Sequence, residues 1–294
     1  MKLFHLFEVV NLPSNNNQLT RIAIVILGFV ALISVGSVAA QEQGTIFLKK
    51  FKTEEPKRLF GLYQANFEKY KTSEREYYLA KAQYKQLFTL ASLESAVVST
   101  RQVMQDRADV LIIYEELLAA SLVDSTGAEL SMKQKTLEEL QSQIGELKAH
   151  KDVVAASQDR AAVYRAGIDF SLLLPKLRNT AYETLSQIVI ADVQRVYDKT
   201  VTYYADLKKL QAETEISPIK EEERKRAYGE TDALMDSIGD SLDKIRTSIN
   251  ESNRSLNYGE YTRIVRDLSR VHSQLAQAMD FLNELERDGR IETK

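Results

Sequence analysis

The chain has 294 residues, 39 Lys plus Arg against 42 Asp plus Glu, a formal charge of −3, and neither Cys nor Trp. Lack of cysteine excludes disulfides, thiolate nucleophiles and Cys-ligated zinc, and the mildly acidic balance argues against a nucleic-acid footprint, which needs clustered positive charge. Only four prolines occur and Ala, Leu, Glu, Lys, Gln and Ser dominate beyond residue 56, so the composition predicts an all-α protein.

Residues 1–21 read as a leader, an apolar Met1–Val10 stretch followed by a turn-rich break at Asn11–Gln18. Residues 22–40 (IAIVILGFVALISVGSVAA) form an uncharged run whose helical length, ~28 Å at ~1.5 Å per residue, approaches the hydrocarbon thickness of a bilayer. Ile22–Ile33 is strongly apolar, whereas Ser34–Ala40 is rich in small residues. That is the pattern of a signal h-region with a cleavage site near Ala39 or Ala40; uncleaved, the same run is a single-pass transmembrane anchor. The small-residue tail favours export, while Lys49, Lys50, Lys52, Lys57 and Arg58 favour a cytoplasmic domain by the positive-inside rule. Residues 41–56 read as a linker, and 57–289 as a helical bundle closed by a 290–294 tail.

From Pro56 to Val123 the pattern predicts one long helix. Tyr63, Tyr70, Tyr77 and Tyr84 recur every seven residues with Phe60, Phe67 and Phe88 interleaved, a helical seam. Met104, Ala108, Leu111, Leu118 and Leu122 carry a second seam, interrupted by Glu115. Asp124-Ser125-Thr126-Gly127 predicts a turn, and the Ser131/Gln134 spacing predicts a capping box for the next helix. That helix is expected to run through Leu140, Ile144, Leu147 and Val154, kink at Leu174 before Pro175, and continue to Leu210. Ser217-Pro218 predicts a helix start, and Glu221–Arg226 a self-paired solvated face. Asn250–Gly259 is turn-prone. Ile264, Leu268, Val271, Leu275, Ala278, Leu282 and Leu285 then make the cleanest heptads, ending at a Gly289 cap.

Together these predict an elongated antiparallel helical bundle or coiled coil of three long legs, the last broken near residues 250–259. Nothing in the chain matches a zincin, di-iron, phosphate-loop or nucleophile-elbow pattern. Glu146 and His150, four apart, have the spacing to seat a metal but read better as a surface pair. No catalytic, cofactor-binding or metal residue is nominated, and no cofactor is expected.

The expected function is that of a non-enzymatic exported or membrane-anchored coiled-coil protein of the cell envelope, a scaffold, spacer or adaptor working through helix faces. Its expected partners are the membrane, through residues 22–40 if uncleaved, and a protein partner or a second copy; nucleic acid is not among them. Two alternatives stand beside it. The Tyr63–Tyr84 stripe would serve an extracytoplasmic sensor or binding module, and the Lys49–Arg58 cluster a cytoplasmic-facing anchored coiled coil. Tyrosine exposure discriminates scaffold from groove.

Overall fold

A computed structural model describes residues 53–212, 218–251 and 256–291, which form six helices and nothing else regular. They are α1 (Glu54–Leu87), α2 (Leu90–Asp124), α3 (Leu130–Ala156), α4 (Arg160–Ala212), α5 (Pro218–Glu251) and α6 (Tyr258–Ile291). The leader, the apolar run 22–40 and most of the linker lie outside the described residues. No described helix is long and apolar enough to cross a membrane.

The all-α, antiparallel expectation holds, but the helices are shorter and more numerous than three legs. The first expected rod is a hairpin. Its break falls at Phe88-Thr89, where Phe88 takes a left-handed φ of 50° and its N–H closes α1 onto the Tyr84 carbonyl at 3.1 Å. Thr89 then caps α2, because the Ser92 N–H donates to Thr89 Oγ1 and the Thr89 N–H to Ser92 Oγ. Neither Gly nor Pro marks this turn, which is why periodicity runs across it unbroken. A second break, at Ser157–Asp159, is capped by the Asp159 carboxylate accepting from the Ala162 N–H at 2.8 Å.

Other boundaries also differ from expectation. Ser131 lies inside α3 and donates to Glu129, and Gln134 bonds Glu138, so the Ser131/Gln134 capping box does not form. The capping box belongs instead to Asn257 and Glu260, which exchange backbone N–H to side-chain bonds at 2.9 and 3.1 Å and start α6. Pro175 lies inside α4, which continues past it as the periodicity predicts. Leu173, Leu174 and Leu177 pack against Ile112, Ile144, Leu147 and Phe170, and that burial carries α4 past the missing donor. Likewise α6 continues through Gly289 to Ile291, since glycine permits a left-handed cap without requiring one.

The chain divides into two compact units. In the first, Thr53–Asp124 and Gln134–Ala181, four helical segments run alternately up and down. α1 lies antiparallel to α2, as the Thr53–Asp124, Lys69–Asp106 and Tyr63–Tyr114 contacts show. α3 pairs with α2 through Lys151–Asp109, and with α4 through the buried Gln143–Thr180 bond of 2.7 Å. Met104, Leu117, Leu118, Leu122, Leu140 and Leu147 are almost fully buried between them, each contributing roughly 1.5–3 kcal/mol.

The second unit contains Ser125–Lys133 and the chain from Tyr182 onward. α5 runs antiparallel to α4, joined by Tyr197–Met235, Tyr204–Tyr228 and Gln211–Arg224, and α6 returns alongside α4 through Tyr182–Tyr261 and Thr200–Met279. Every member of the expected α6 seam from Ile264 to Leu285 is buried. The turn at Gly127 fits here because a Cβ would lie 2.4 Å from the Ala191 carbonyl oxygen, so only glycine allows that approach.

Candidate functional site

The tyrosine stripe is built by α1's heptad register. Tyr63, Tyr70 and Tyr77 are buried against α2, and Tyr84 is partly so. Tyr63 stacks on Phe67 and meets Tyr114 at 5.9 Å, while Lys71 and Lys81 lie over the Phe67 and Tyr77 rings. Tyr70 donates to Glu74 at 2.7 Å. Burial pushes the Tyr63 hydroxyl up to about 12, and raises Tyr70 and Tyr77 further. The stripe is therefore a packed seam over its first three members and opens only towards the α1–α2 turn.

Beneath it lies a set of buried polar groups, of which periodicity marks Glu115 as a seam interruption and spacing marks His150, while Arg107 carries no sequence signal. The Arg107 guanidinium is buried and stacked on the Phe170 ring at 3.7 Å, and its Nε has no hydrogen-bond partner among the described residues. Burial pulls its pKa down to about 10, opposed by the negative potential of Tyr70, Tyr77 and Glu74. An aromatic face and a nearby carboxylate thus offset part of what solvent would otherwise supply. His150 packs on Phe170 from another side, with ring centroids 5.1 Å apart. Burial, then the Arg107 charge, holds its imidazole at about 4, so it is neutral at physiological pH.

Glu115, two turns from Arg107 on α2, is buried with Oε2 unpartnered, and burial raises its carboxyl to about 8. The eight-residue separation, ~12 Å of helix, leaves the two ionisable groups without each other. Arg107 adjoins Ala108 in the α2 seam, and Glu115 occupies a seam position outright. The legible signal was the seam register itself, which buries whatever residue stands in it.

The residues weighed from sequence fall elsewhere. Glu146 pairs with Lys176, whereas His150 is buried, so they are not the expected surface pair. His272 is exposed on α6, and His5 lies outside the described residues. Among the described residues no group of three or more His, Cys, Asp or Glu is placed to hold a metal ion. Of the Lys49–Arg58 cluster, Lys57 pairs with Glu54 and Arg58 with Glu55 in the first turns of α1. Comparison of the chain with protein-family models, with curated proteins and with solved structures found no match.

Proposed function

We propose that this chain is a non-enzymatic scaffold or spacer of the cell envelope, exported or anchored through residues 22–40 and acting through its helix faces. The observation that carries the scaffold half is the burial of Tyr63, Tyr70 and Tyr77. An aromatic stripe sealed in a helical seam stabilises a rod, whereas a recognition groove needs those rings open to a ligand. Helices of this length suit spacing: α2, within the first unit, has 35 residues, ~50 Å at the helical rise. The envelope half rests on the uncharged run and its small-residue tail.

N-terminal sequencing of the mature protein, combined with protease accessibility in intact cells, tests the address. Cleavage near Ala39 or Ala40, or an intact chain digestible from outside, is the expected result. An intact chain protected from external protease would move the bundle to the cytoplasmic face, as the basic cluster after the run requires. A soluble monomer with neither partner nor membrane association would remove the scaffold reading.

A further inference from the structure

We propose that the apex of the α1–α2 hairpin inserts into the interface of a lipid bilayer. This inference rests on the geometry of the apex alone and is independent of whether the chain is exported. Six of the exposed large apolar side chains, Tyr78, Leu79, Leu87, Phe88, Leu90 and Val98, fall within the last turns of this one hairpin. At the very tip Leu87, Phe88 and Leu90 are 62, 64 and 72% exposed.

The tip is held, not frayed. The Phe88 N–H to Tyr84 carbonyl bond closes one helix, and the reciprocal Thr89/Ser92 bonds open the other. Between these two caps Phe88 occupies a left-handed conformation, which glycine ordinarily supplies and a bulky residue adopts at a cost. Phe88 touches the Tyr84 ring, 5.9 Å between centroids, yet remains mostly exposed. Backbone strain spent on displaying an aromatic ring to the outside is not accounted for by the packing of the fold.

The hairpin also projects. Arg101 bonds the Ser157 carbonyl at 3.3 Å, which sets the α3–α4 turn beside Arg101. Val97 still packs against Val154 and Val163 on either side of that turn, so the α2 residues from Leu90 to Ala96 extend past it by ~10 Å at the helical rise. A convex apolar point has two classes of partner, a shaped cavity or a fluid. Three side chains on a turn fall well short of the ~800 Å² per partner of a standard protein interface, whereas an acyl layer imposes no shape.

Charge selects the same partner. Between residues 79 and 98 the charged residues are Lys81, Lys85 and Glu94, so a locally cationic tip belongs to a chain whose net charge is −3. Lys81, which lies over the Tyr77 ring, and Lys85 sit one to two turns below Phe88 and give this end of the hairpin the positive potential that favours an anionic lipid surface.

The chain contains no tryptophan, so Phe88→Trp in the full-length protein makes the tip the sole emitter of its kind. Leu172→Trp, at a position 73% exposed on α4, is the control. Each protein is mixed with vesicles of phosphatidylcholine and phosphatidylglycerol, with and without bromine on the acyl chains. The expected result is a blue-shifted indole emission from the Phe88→Trp protein that brominated chains quench, with the emission of the Leu172→Trp control unmoved and unquenched. Because the readout is local, binding of residues 22–40 to the same vesicles does not mimic it. Adding Leu87→Ser and Leu90→Ser to the Phe88→Trp protein should return the emission to its aqueous position.

Phe88→Gly separates insertion from folding, since it relieves the left-handed strain: its melting temperature should hold or rise. Added to a Leu90→Trp reporter, the same change should reduce quenching by brominated lipid. Aqueous emission from the Phe88→Trp protein in the presence of vesicles overturns the proposal. So does equal quenching in the Leu172→Trp control, or a blue shift without lipid that grows with protein concentration, which would identify a second copy as the occupant.

Discussion

At the scale of single residues, the first unit stands out for the ionisable groups it buries without ion-pair partners. Glu115 keeps its proton in the folded state up to about pH 8, against 4.5 for the free side chain. Its contribution to stability is therefore fully present below about 4.5 and is lost as pH rises through about 8. His150 acts in the opposite sense. With a folded value near 4 against 6.5, its contribution is present above 6.5 and lost as pH falls through about 4. Of these two groups Glu115 is the one that changes between pH 6.5 and 8, so stability in urea should fall across that window by up to roughly 1.4 kcal/mol per pH unit. Glu115→Gln keeps the shape and has no proton to lose; its midpoint should be flat over the same interval. A wild-type slope surviving in that variant would mean that Glu115 is not the buried acid. Below pH 6, the acid-side loss should shrink in His150→Phe, provided the larger ring packs against Phe170 without displacing Arg107.

Helices and turns were unequally legible, and particular residues show why. The α6 seam was read position by position because one apolar face meets its neighbours along the whole helix, so burial repeats with the sequence period. Leu268 lies in the middle of that seam and is buried, whereas Glu222 is exposed on α5. Leu268→Asp should cost several kcal/mol in a denaturant titration, because it places an uncompensated charge among apolar side chains. Glu222→Ala should move the midpoint by less than about 0.5 kcal/mol. Comparable losses in the two variants would show that the seam is misassigned. The turns were harder. Gly127 announced one by composition, but Phe88-Thr89 carries an aromatic and a β-branched residue where a turn usually has Gly or Asn. Heptad aromatics on α1 run straight up to that break, and periodicity alone cannot report where an antiparallel partner makes the chain reverse. At Pro175 periodicity is the better guide, because helical spacing resumes beyond it and tertiary packing of the neighbouring leucines outweighs the local preference. The polar groups of the first unit were unequally legible for a related reason: Glu115 shows as an interruption of the α2 seam, whereas Arg107, beside a seam position, reads as a solvated charge unless that seam is known to have neighbours on every side.

For the molecule as a whole, the division into two units makes a claim about cooperativity. The boundary falls between Ala181 and Tyr182, inside the unbroken helix α4, so the units share a backbone while each has its own core. Phe170 and Leu147 belong to one core; Tyr204, Leu207, Leu282 and Leu285 belong to the other. Where cores are separate, a core substitution should raise the opening rate of its own unit and leave the other protected. Leu268→Asp is a suitable perturbation because all its expected damage lies in the second unit. Native-state hydrogen exchange should then quicken through residues 182–212, α5 and α6, while α1, α2 and residues 134–156 keep their wild-type protection. Residues 160–181 are the informative segment. If unit two opens alone, Ala181 becomes a helix end, and its last turn loses the hydrogen bonds it shared with the residues beyond. Exchange should therefore quicken over about one turn before Ala181 and remain slow near Phe170, which is held by Arg107, His150 and Leu177. Acceleration of equal size across α1 and α2 would show instead that α4 transmits the opening along its whole length, making the chain one cooperative body despite its two cores.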